Sequence, residues 1–177
     1  GDVNQAIATY GKLIAMQPLS PVPHVRLAEA QVVNKDLKAA EQSLRKALEI
    51  KPDFLDAQRG LILIMLDGKR YAEAVKVARG VQEQQPKASA GYVLEGDIGV
   101  AQKNWDAAAV AYKTGLQRAP STELAIKLNS VLVASGKAAE AERFGAAWLK
   151  DHPKDQAFLA HLGDQALARK DYPAAEK

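Results

Sequence analysis

The sequence has 177 residues, of which 47% are hydrophobic and only 6% aromatic, and this balance favours helices packed through small side chains around a sizeable core. Its 24 basic and 21 acidic side chains give a net charge of +3 and are spread along the whole sequence, which excludes a like-charged nucleic-acid-binding tail. Cysteine is absent, so disulfides, thiolate metal sites and cysteine nucleophiles are excluded together.

Five prolines divide the sequence at nearly constant intervals of 34, 34, 34 and 33 residues. They are Pro18, Pro52, Pro86, Pro120 and Pro153. An alanine lies twelve residues before each proline, and a further alanine begins another copy: Ala6, Ala40, Ala74, Ala108, Ala141 and Ala175. Self-similarity at a fixed period of this length predicts an array of helical repeats.

Each interval contains two segments with helical periodicity. From the alanine to the proline, apolar residues recur on one helix face, as in Ala40, Leu44, Ala47 and Leu48, which predicts the second helix of a pair. From the proline to the next alanine, another helical run predicts a first helix that ends at a short polar turn. These turns are Asn34-Lys35-Asp36, Asp67-Gly68-Lys69, Lys103-Asn104, Ser135-Gly136-Lys137 and Lys170-Asp171.

In chain order, the pattern predicts a single array over residues 1–177. Residues 1–20 form the second helix of a partial repeat, residues 21–54, 55–88, 89–122 and 123–155 form full repeats, and residues 156–177 form another partial repeat. Alanine allows the two helices of a pair to approach closely, and proline ends the second helix. Because both ends fall within a repeat, we expect an excerpt of a longer chain that self-associates through its incomplete ends.

These features together resemble the tetratricopeptide repeat (TPR) family over essentially the whole sequence. The copy at 89–122 keeps the family residues Tyr92, Gly96, Ala108, Tyr112 and Pro120, and the copy at 156–177 keeps Leu159, Leu162 and Gly163. The resemblance implies an all-α fold, a right-handed α-solenoid of antiparallel helix pairs.

Two polar residues depart from the family pattern, because Glu95 and Asn129 stand where the family has leucine. The copy at 123–155 is also one residue shorter between Gly136 and Ala141. A polar group buried without a hydrogen bond costs a few kcal/mol, so we expect both side chains either to find a partner or to reach solvent.

A narrower resemblance concerns residues 92–144, which read YVLEGDIGVAQKNWDAAAVAYKTGLQRAPSTELAIKLNSVLVASGKAAEAERF. This segment is similar to the TPR-repeat lipoproteins of the bacterial exosortase (PEP-CTERM) system, which sorts proteins with a carboxy-terminal anchor. The resemblance implies a longer parent, exported to the periplasm or outer membrane of an exopolysaccharide-producing bacterium. No motif within these residues requires it.

The sequence contains no motif that indicates a catalytic site. The three histidines, His24, His152 and His161, fall in different repeats, and the sequence contains no HExxH motif, glycine-rich phosphate loop or nucleophile elbow. We therefore expect neither enzymatic activity nor a metal or cofactor. The sequence also has no run of about 18 apolar residues that would predict a membrane span.

In the family that the sequence resembles, the first helices line a concave groove, and the repeat register implies which residues face it. The candidate partner-binding residues are Val25, Glu29, Arg59, Leu63, Leu66, Val93, Asp97, Val100, Lys127, Val131, Asp164 and Leu167. Among them, Arg59, Asp97, Lys127 and Asp164 are expected to be isolated charges that orient a partner on an otherwise mostly apolar face.

The function predicted from these observations is a non-catalytic protein–protein interaction scaffold that binds a peptide or protein in the groove. Too few cations lie on the first helices for a nucleic-acid groove, so we expect no nucleic-acid partner. The alternative is a structural spacer whose first helices are covered by neighbouring repeats of a larger protein, leaving it no ligand groove of its own.

Overall fold

The computed structural model describes residues 2–168 of the chain, and within them it contains ten α-helices and no strand. The helices are α1 (Val3–Met16), α2 (Val22–Val33), α3 (Leu37–Ile50), α4 (Leu55–Asp67), α5 (Tyr71–Gln84), α6 (Ala90–Ala101), α7 (Trp105–Arg118), α8 (Thr122–Ala134), α9 (Ala138–Asp151) and α10 (Gln156–Ala168). The prediction of an all-α chain is confirmed for these residues. Each predicted full repeat holds one helix pair, although α8 begins one residue before the predicted boundary at 123.

The chain divides into two compact units, which we call unit 1 (residues 1–85, α1 to α5) and unit 2 (residues 86–177, α6 to α10). Within unit 1, each helix packs against the next, and the first helices α2 and α4 also touch. Within unit 2, α6 packs on α7, α7 on α8 and α8 on α9, while α10 packs on the first helix α8. Short turns between neighbouring helices make the pairs antiparallel.

The turn inside each pair is a left-handed helix cap. Among the described residues, the positive φ values are 61° at Lys35, 54° at Lys69, 57° at Lys103 and 77° at Gly136. In the first of these turns, the Asp36 amide donates to the Gln31 carbonyl at 2.9 Å and the Lys35 amide donates to the Val32 carbonyl at 2.9 Å. This pair of bonds is the Schellman motif, which satisfies the last carbonyls of the first helix.

The residue after each left-handed position begins the second helix. Asp36 accepts a hydrogen bond from the Ala39 amide at 3.0 Å, and Asn104 accepts one from the Ala107 amide at 3.1 Å, so both side chains act as N-caps. Because so few residues connect the two helices of a pair, the second helix must run antiparallel to the first. The glycine in the second turn, Gly68, has an ordinary φ of −77°, and Lys69 takes the left-handed conformation in its place.

These turns give a first prediction, since a residue with a β-carbon is strained in the left-handed region by about 1 kcal/mol or more. Replacing Lys103 by glycine removes this strain but adds conformational entropy to the unfolded chain, which offsets about 0.5 to 1 kcal/mol of the gain. The free energy of unfolding is therefore expected to rise by at most about 1 kcal/mol. The measurement is urea unfolding followed by the fluorescence of Trp105 and Trp148, both in unit 2. The reverse change, Gly136→Lys, has open space around it and should lower the same quantity; equal shifts of one sign would contradict the argument.

The prolines follow the second helices. The residue before each proline is the helix C-cap and has an extended φ between −129° and −144°. Proline sterically disfavours helical geometry in the preceding residue, so each second helix stops there. These five residues are Gln17, Lys51, Gln85, Ala119 and His152.

The alanines of the pattern lie inside the fold, where neighbouring helices meet. Ala40, Ala74, Ala108 and Ala141 are all buried, and Ala175 lies outside the described residues. A β-carbon added at Gly99 on α6 would come within 2.8 Å of the Ala108 backbone nitrogen on α7. The backbones of this pair therefore approach as closely as small side chains allow.

The two departures from the family pattern have different environments. Asn129 on α8 is only 1% exposed, and its amide nitrogen donates to the Ala141 carbonyl at 3.0 Å while its oxygen lies 3.2 Å from Nε2 of His161. Glu95 on α6 is half-buried and has a polar interaction of its own. Asn129 thus follows the first of the two expected outcomes, burial with partners, because neighbouring helices supply both a carbonyl and an imidazole.

Asp155 anchors the start of α10 in unit 2. Its carboxylate accepts from Nε1 of Trp148 at 2.9 Å, from the Thr122 hydroxyl at 2.8 Å and from the Phe158 amide at 3.1 Å. Burial alone would raise the pKa of this carboxyl, but the hydrogen bonds from Trp148, Phe158 and Thr122 outweigh it and hold the pKa below its ordinary value.

A pH-dependent stability follows from Asp155. A carboxyl whose pKa is lower in the folded state stabilises the fold above the ordinary aspartate value of about 3.9, and this stabilisation is lost as the pH falls through the folded value. Asp155→Asn is expected to lower the free energy of unfolding at pH 7 and to flatten its decline below about pH 4. Urea unfolding between pH 7 and pH 3 measures both, and an unchanged acid slope in the variant would rule this carboxyl out.

Candidate functional site

Unit 1 contains a groove between its first helices α2 and α4. The groove encloses about 770 Å³. Its rim carries large apolar side chains that are open to solvent, since Leu63 is 67% exposed and Val32 is 43% exposed. Exposed apolar side chains at the edge of a cleft are a common mark of a binding surface. We call this cleft the unit 1 groove.

The floor of the unit 1 groove is apolar and packed. Val25 and Ala28 of α2, Leu44 of α3 and Ile64 of α4 are buried and line it. Gly60 keeps the floor low, because a β-carbon at that position would come within 2.9 Å of both δ-carbons of Leu44. The absence of a side chain at Gly60 therefore leaves room in the cleft above Leu44.

Five charged side chains line the same groove, and they differ in their partners. Arg26 donates to both carboxylate oxygens of Glu29, at 3.0 and 2.8 Å, and this hydrogen bonding raises the pKa of Arg26. Asp56 adds a weaker attraction to Arg26. Arg59, by contrast, is exposed and has no hydrogen-bond or ion-pair partner among residues 2–168, so its charge is available to a ligand.

Unit 2 places its predicted groove charges against one another. Lys127 on α8 donates to Oδ1 of Asp97 on α6 at 2.8 Å, and the Tyr112 hydroxyl donates to the same oxygen at 2.6 Å. Burial raises the pKa of Tyr112 well above its ordinary value, and the neighbouring Asp97 adds to this, so the hydroxyl stays protonated. Asp97 and Lys127 are therefore paired and not isolated, contrary to the expectation from sequence.

The remaining predicted residues are spread over several environments. Val93 and Val131 are buried in the unit 2 core, Val100 packs against that core, and Leu66 is half-buried on α4. Asp164 and Leu167 are exposed on α10. Of the twelve candidates, the structure brings four together in the unit 1 groove: Val25, Glu29, Arg59 and Leu63.

Three charged residues outside the twelve candidates also line the groove: Arg26, Asp56 and Asp67. The repeat register assigns Asp56 and Asp67 to the groove face as well, so Arg26 alone was missed. Arg26 could have been found from its spacing of three residues from Glu29, which places oppositely charged side chains on one helix face. Asp56 and Asp67 lie on the same helix as Arg59 at separations of three and eight residues, so they share its groove-facing side.

The described part of the chain offers no site for a metal, since no group of three or more His, Cys, Asp or Glu side chains within residues 2–168 is placed to hold one. Two of the three histidines make contacts with core side chains. His152 stacks on Trp148 with ring centroids 3.9 Å apart, and His161 faces Asn129. None of the helices within residues 2–168 has the length and apolar character needed to cross a bilayer.

Comparison with solved structures shows the same arrangement of helices in other proteins. MamA 41-end from Desulfovibrio magneticus RS-1 is 17% identical with a TM-score of 0.62, covering 88% of this chain and 89% of its own. PilF of Pseudomonas aeruginosa is 18% identical with a TM-score of 0.64, covering 98% and 80%. YrrB, a TPR protein with an unusual peptide-binding site, is 17% identical with a TM-score of 0.56, covering 94% of this chain and 86% of its own.

These likenesses confirm the fold class predicted from the sequence. Comparison with curated proteins finds no significant match. Residues 3–133, about three quarters of the sequence, match the family described as a tetratricopeptide repeat-like domain. By that match, the chain belongs to the tetratricopeptide repeat-like domain family.

Proposed function

We propose that this chain is a non-catalytic protein–protein interaction scaffold and that the unit 1 groove binds a peptide or protein partner. The observation that carries the proposal is the exposed apolar rim, Leu63 and Val32, above an apolar floor on neighbouring first helices. Covering a side chain of this size contributes about 1.5 to 3 kcal/mol, so a partner that fills the cleft gains most of its affinity there. TPR families are typically non-catalytic scaffolds, which supports the same function.

The charges of the unit 1 groove favour a protein partner over a nucleic acid. Three carboxylates, Glu29, Asp56 and Asp67, line it beside the guanidinium groups of Arg26 and Arg59. A phosphate backbone needs a surplus of cations, because its affinity comes from neutralised phosphates. Mixed charge around an apolar cleft suits a polypeptide, for which charges fix the orientation.

Site-specific photo-crosslinking tests the proposal. A photoreactive residue replacing Leu63 is expected to capture a defined protein partner in the native host, because that side chain lies exposed on the rim of the cleft. The matched control places the same residue at Lys38, which is exposed on the second helix α3. Identical adducts from both positions, or none from Leu63, would contradict groove binding.

A second candidate function, a structural spacer, is favoured by unit 2. There, Val93 and Val131 are committed to the core, and Asp97 and Lys127 neutralise each other. Such a face offers a partner little unsatisfied surface. If unit 2 acts as a spacer, Lys127→Ala leaves partner affinity unchanged, whereas Leu63→Asp in unit 1 abolishes it; equal losses from the two variants would assign both units to binding.

We further propose that the scaffold acts in the exosortase sorting system of an exopolysaccharide-producing bacterium, as part of an exported lipoprotein. The support is the resemblance of residues 92–144 to the lipoproteins of that system. Co-purification of the native parent protein with a carboxy-terminally anchored exosortase substrate is the expected result. Recovery of the parent only from the cytosol would remove this assignment without affecting the scaffold function.

A further inference from the structure

The lining of the unit 1 groove offers few groups that could pair with the backbone of an extended peptide, because its polar side chains are confined to five charged residues, two of which, Arg26 and Glu29, already pair with each other. Within the described chain, its lining residues are apolar or charged, and none is Asn, Gln, Ser or Thr. The backbone groups of α2 and α4 are occupied by their own helical hydrogen bonds. An extended occupant would therefore bury backbone amides and carbonyls with few partners, which costs free energy for each unpaired group.

A helical occupant avoids this cost, since its backbone groups are paired internally. The dimensions agree. The groove-facing stretch of α4 from Asp56 to Asp67 rises about 16 Å, and half of a helix about 10 Å across and of that length occupies roughly 650 Å³. The cleft measures about 770 Å³. One face of a short helix therefore fills it.

The charges along α4 define what that face must carry. Arg59, Leu63 and Asp67 follow one another at intervals of four residues, so a cation, an exposed apolar side chain and an anion succeed each other along one side of the helix. Arg59 and Asp67 lie about 12 Å apart along the axis. The Arg26–Glu29 pair is already formed on the opposite wall and does not neutralise either of them.

We propose that the occupant of the unit 1 groove is an amphipathic α-helix carrying an acidic and a basic residue seven or eight positions apart, with an apolar residue between them. The acid meets Arg59, the apolar residue packs on Leu63 and Ile64, and the base meets Asp67. This inference rests on the proposed function, because it names the partner chemistry of the same groove.

A designed peptide provides the test. The probe is a fluorescently labelled, alanine-based peptide of sixteen residues, with glutamate at its fourth position, leucine at its eighth and lysine at its twelfth. Its twin has proline in place of the alanine at the seventh position, which breaks the helix. Fluorescence anisotropy with the whole chain is expected to give at least tenfold tighter binding of the helical peptide. Equal affinities, or no binding of the helical peptide, would overturn the inference.

Charge exchange tests the register. Arg59→Glu is expected to weaken the helical peptide at least tenfold, and a peptide with lysine in place of its glutamate is expected to recover binding to that variant. Lys38→Glu makes the same change of charge on an exposed site outside the groove and should leave affinity unchanged. Equal weakening by both variants would indicate general electrostatics and overturn the assignment of Arg59.

A random peptide library separates the failure of this inference from failure of the proposed function. Peptides are selected on the wild-type chain and counter-selected on Leu63→Asp. Enriched sequences with helical apolar spacing support the inference. Groove-dependent binders that contain central prolines and stay unstructured would overturn it and leave the interaction function standing. A library without any groove-dependent binder would overturn both.

Discussion

Replacing Tyr112 by alanine is expected to lower the free energy of unfolding by about 3 to 5 kcal/mol, the usual cost of removing a buried aromatic ring. Tyr112 is 1% exposed and belongs to the core of unit 2. Its ring fills the space above Gly96, where an added β-carbon would come within 2.0 Å of Cε1. Neighbouring backbone cannot collapse fully into a hole of that size, so a cavity remains.

Tyr112→Phe isolates the hydroxyl from the ring. This variant loses only the 2.6 Å hydrogen bond to Asp97, which keeps its ion pair with Lys127 and is partly open to solvent. We expect a cost of about 1 kcal/mol. Urea unfolding followed by tryptophan fluorescence reports on unit 2, since Trp105 and Trp148 are the two tryptophans of the chain. If the alanine variant were no less stable than the phenylalanine variant, the ring would not be a core residue.

The sequence predicts the helices well because their determinants are local. Each proline acts on the residue directly before it, and each buried alanine lies where the period places it. The left-handed turns show the limit of this approach. A glycine in the turn sequence, Gly68, suggested where the chain reverses, but the Schellman hydrogen bonds place Lys69 one residue later in the strained position.

The sequence analysis does not predict that side chains of neighbouring repeats pair with each other, although the spacing of these residues contains a signal for it. Asp97 and Lys127 are 30 residues apart, which is four fewer than the period of 34. Lys127 therefore lies one helical turn before the residue that is equivalent to Asp97 in the next repeat. Asn129 and His161 are 32 apart on successive first helices and also meet. The repeat register assigns a residue to one face of its helix. Which residues of two neighbouring helices touch depends on how far one helix is shifted along the other, and tertiary packing sets that shift.

The same reasoning explains why four of the candidate residues form a groove while others do not. Register placed Val25 and Val93 at equivalent positions, and both are buried. The difference lies around them: Gly60 and the short side chain of Ala28 leave space beside Val25, whereas Val93 packs into a core that includes the bulky Tyr92 and Tyr112. Side-chain volumes of adjacent helices therefore decide which register positions remain open.

Ala108→Leu is expected to lower the free energy of unfolding by about 1 to 3 kcal/mol, because extra carbons in a filled contact force side chains and backbone apart. Ala108 is fully buried, and its backbone nitrogen, Cα and Cβ all lie within 3.0 Å of the place where a β-carbon on Gly99 would be. The two helices must therefore move apart to admit the added carbons, which loosens the packing around them. Ala74→Leu in unit 1, also at a fully buried position, should cost a similar amount, measured by circular dichroism because both tryptophans lie in unit 2.

The control for this substitution lies one residue away. Ala107 is exposed on the same helix, so Ala107→Leu changes composition and helix propensity identically while adding no bulk to the contact, and its effect should stay within about 0.5 kcal/mol. Urea midpoints of the two leucine variants, followed by tryptophan fluorescence, give the comparison. Equal shifts would mean that α7 presents a different face to α6, and the helix register on which the repeat assignment depends would then be wrong.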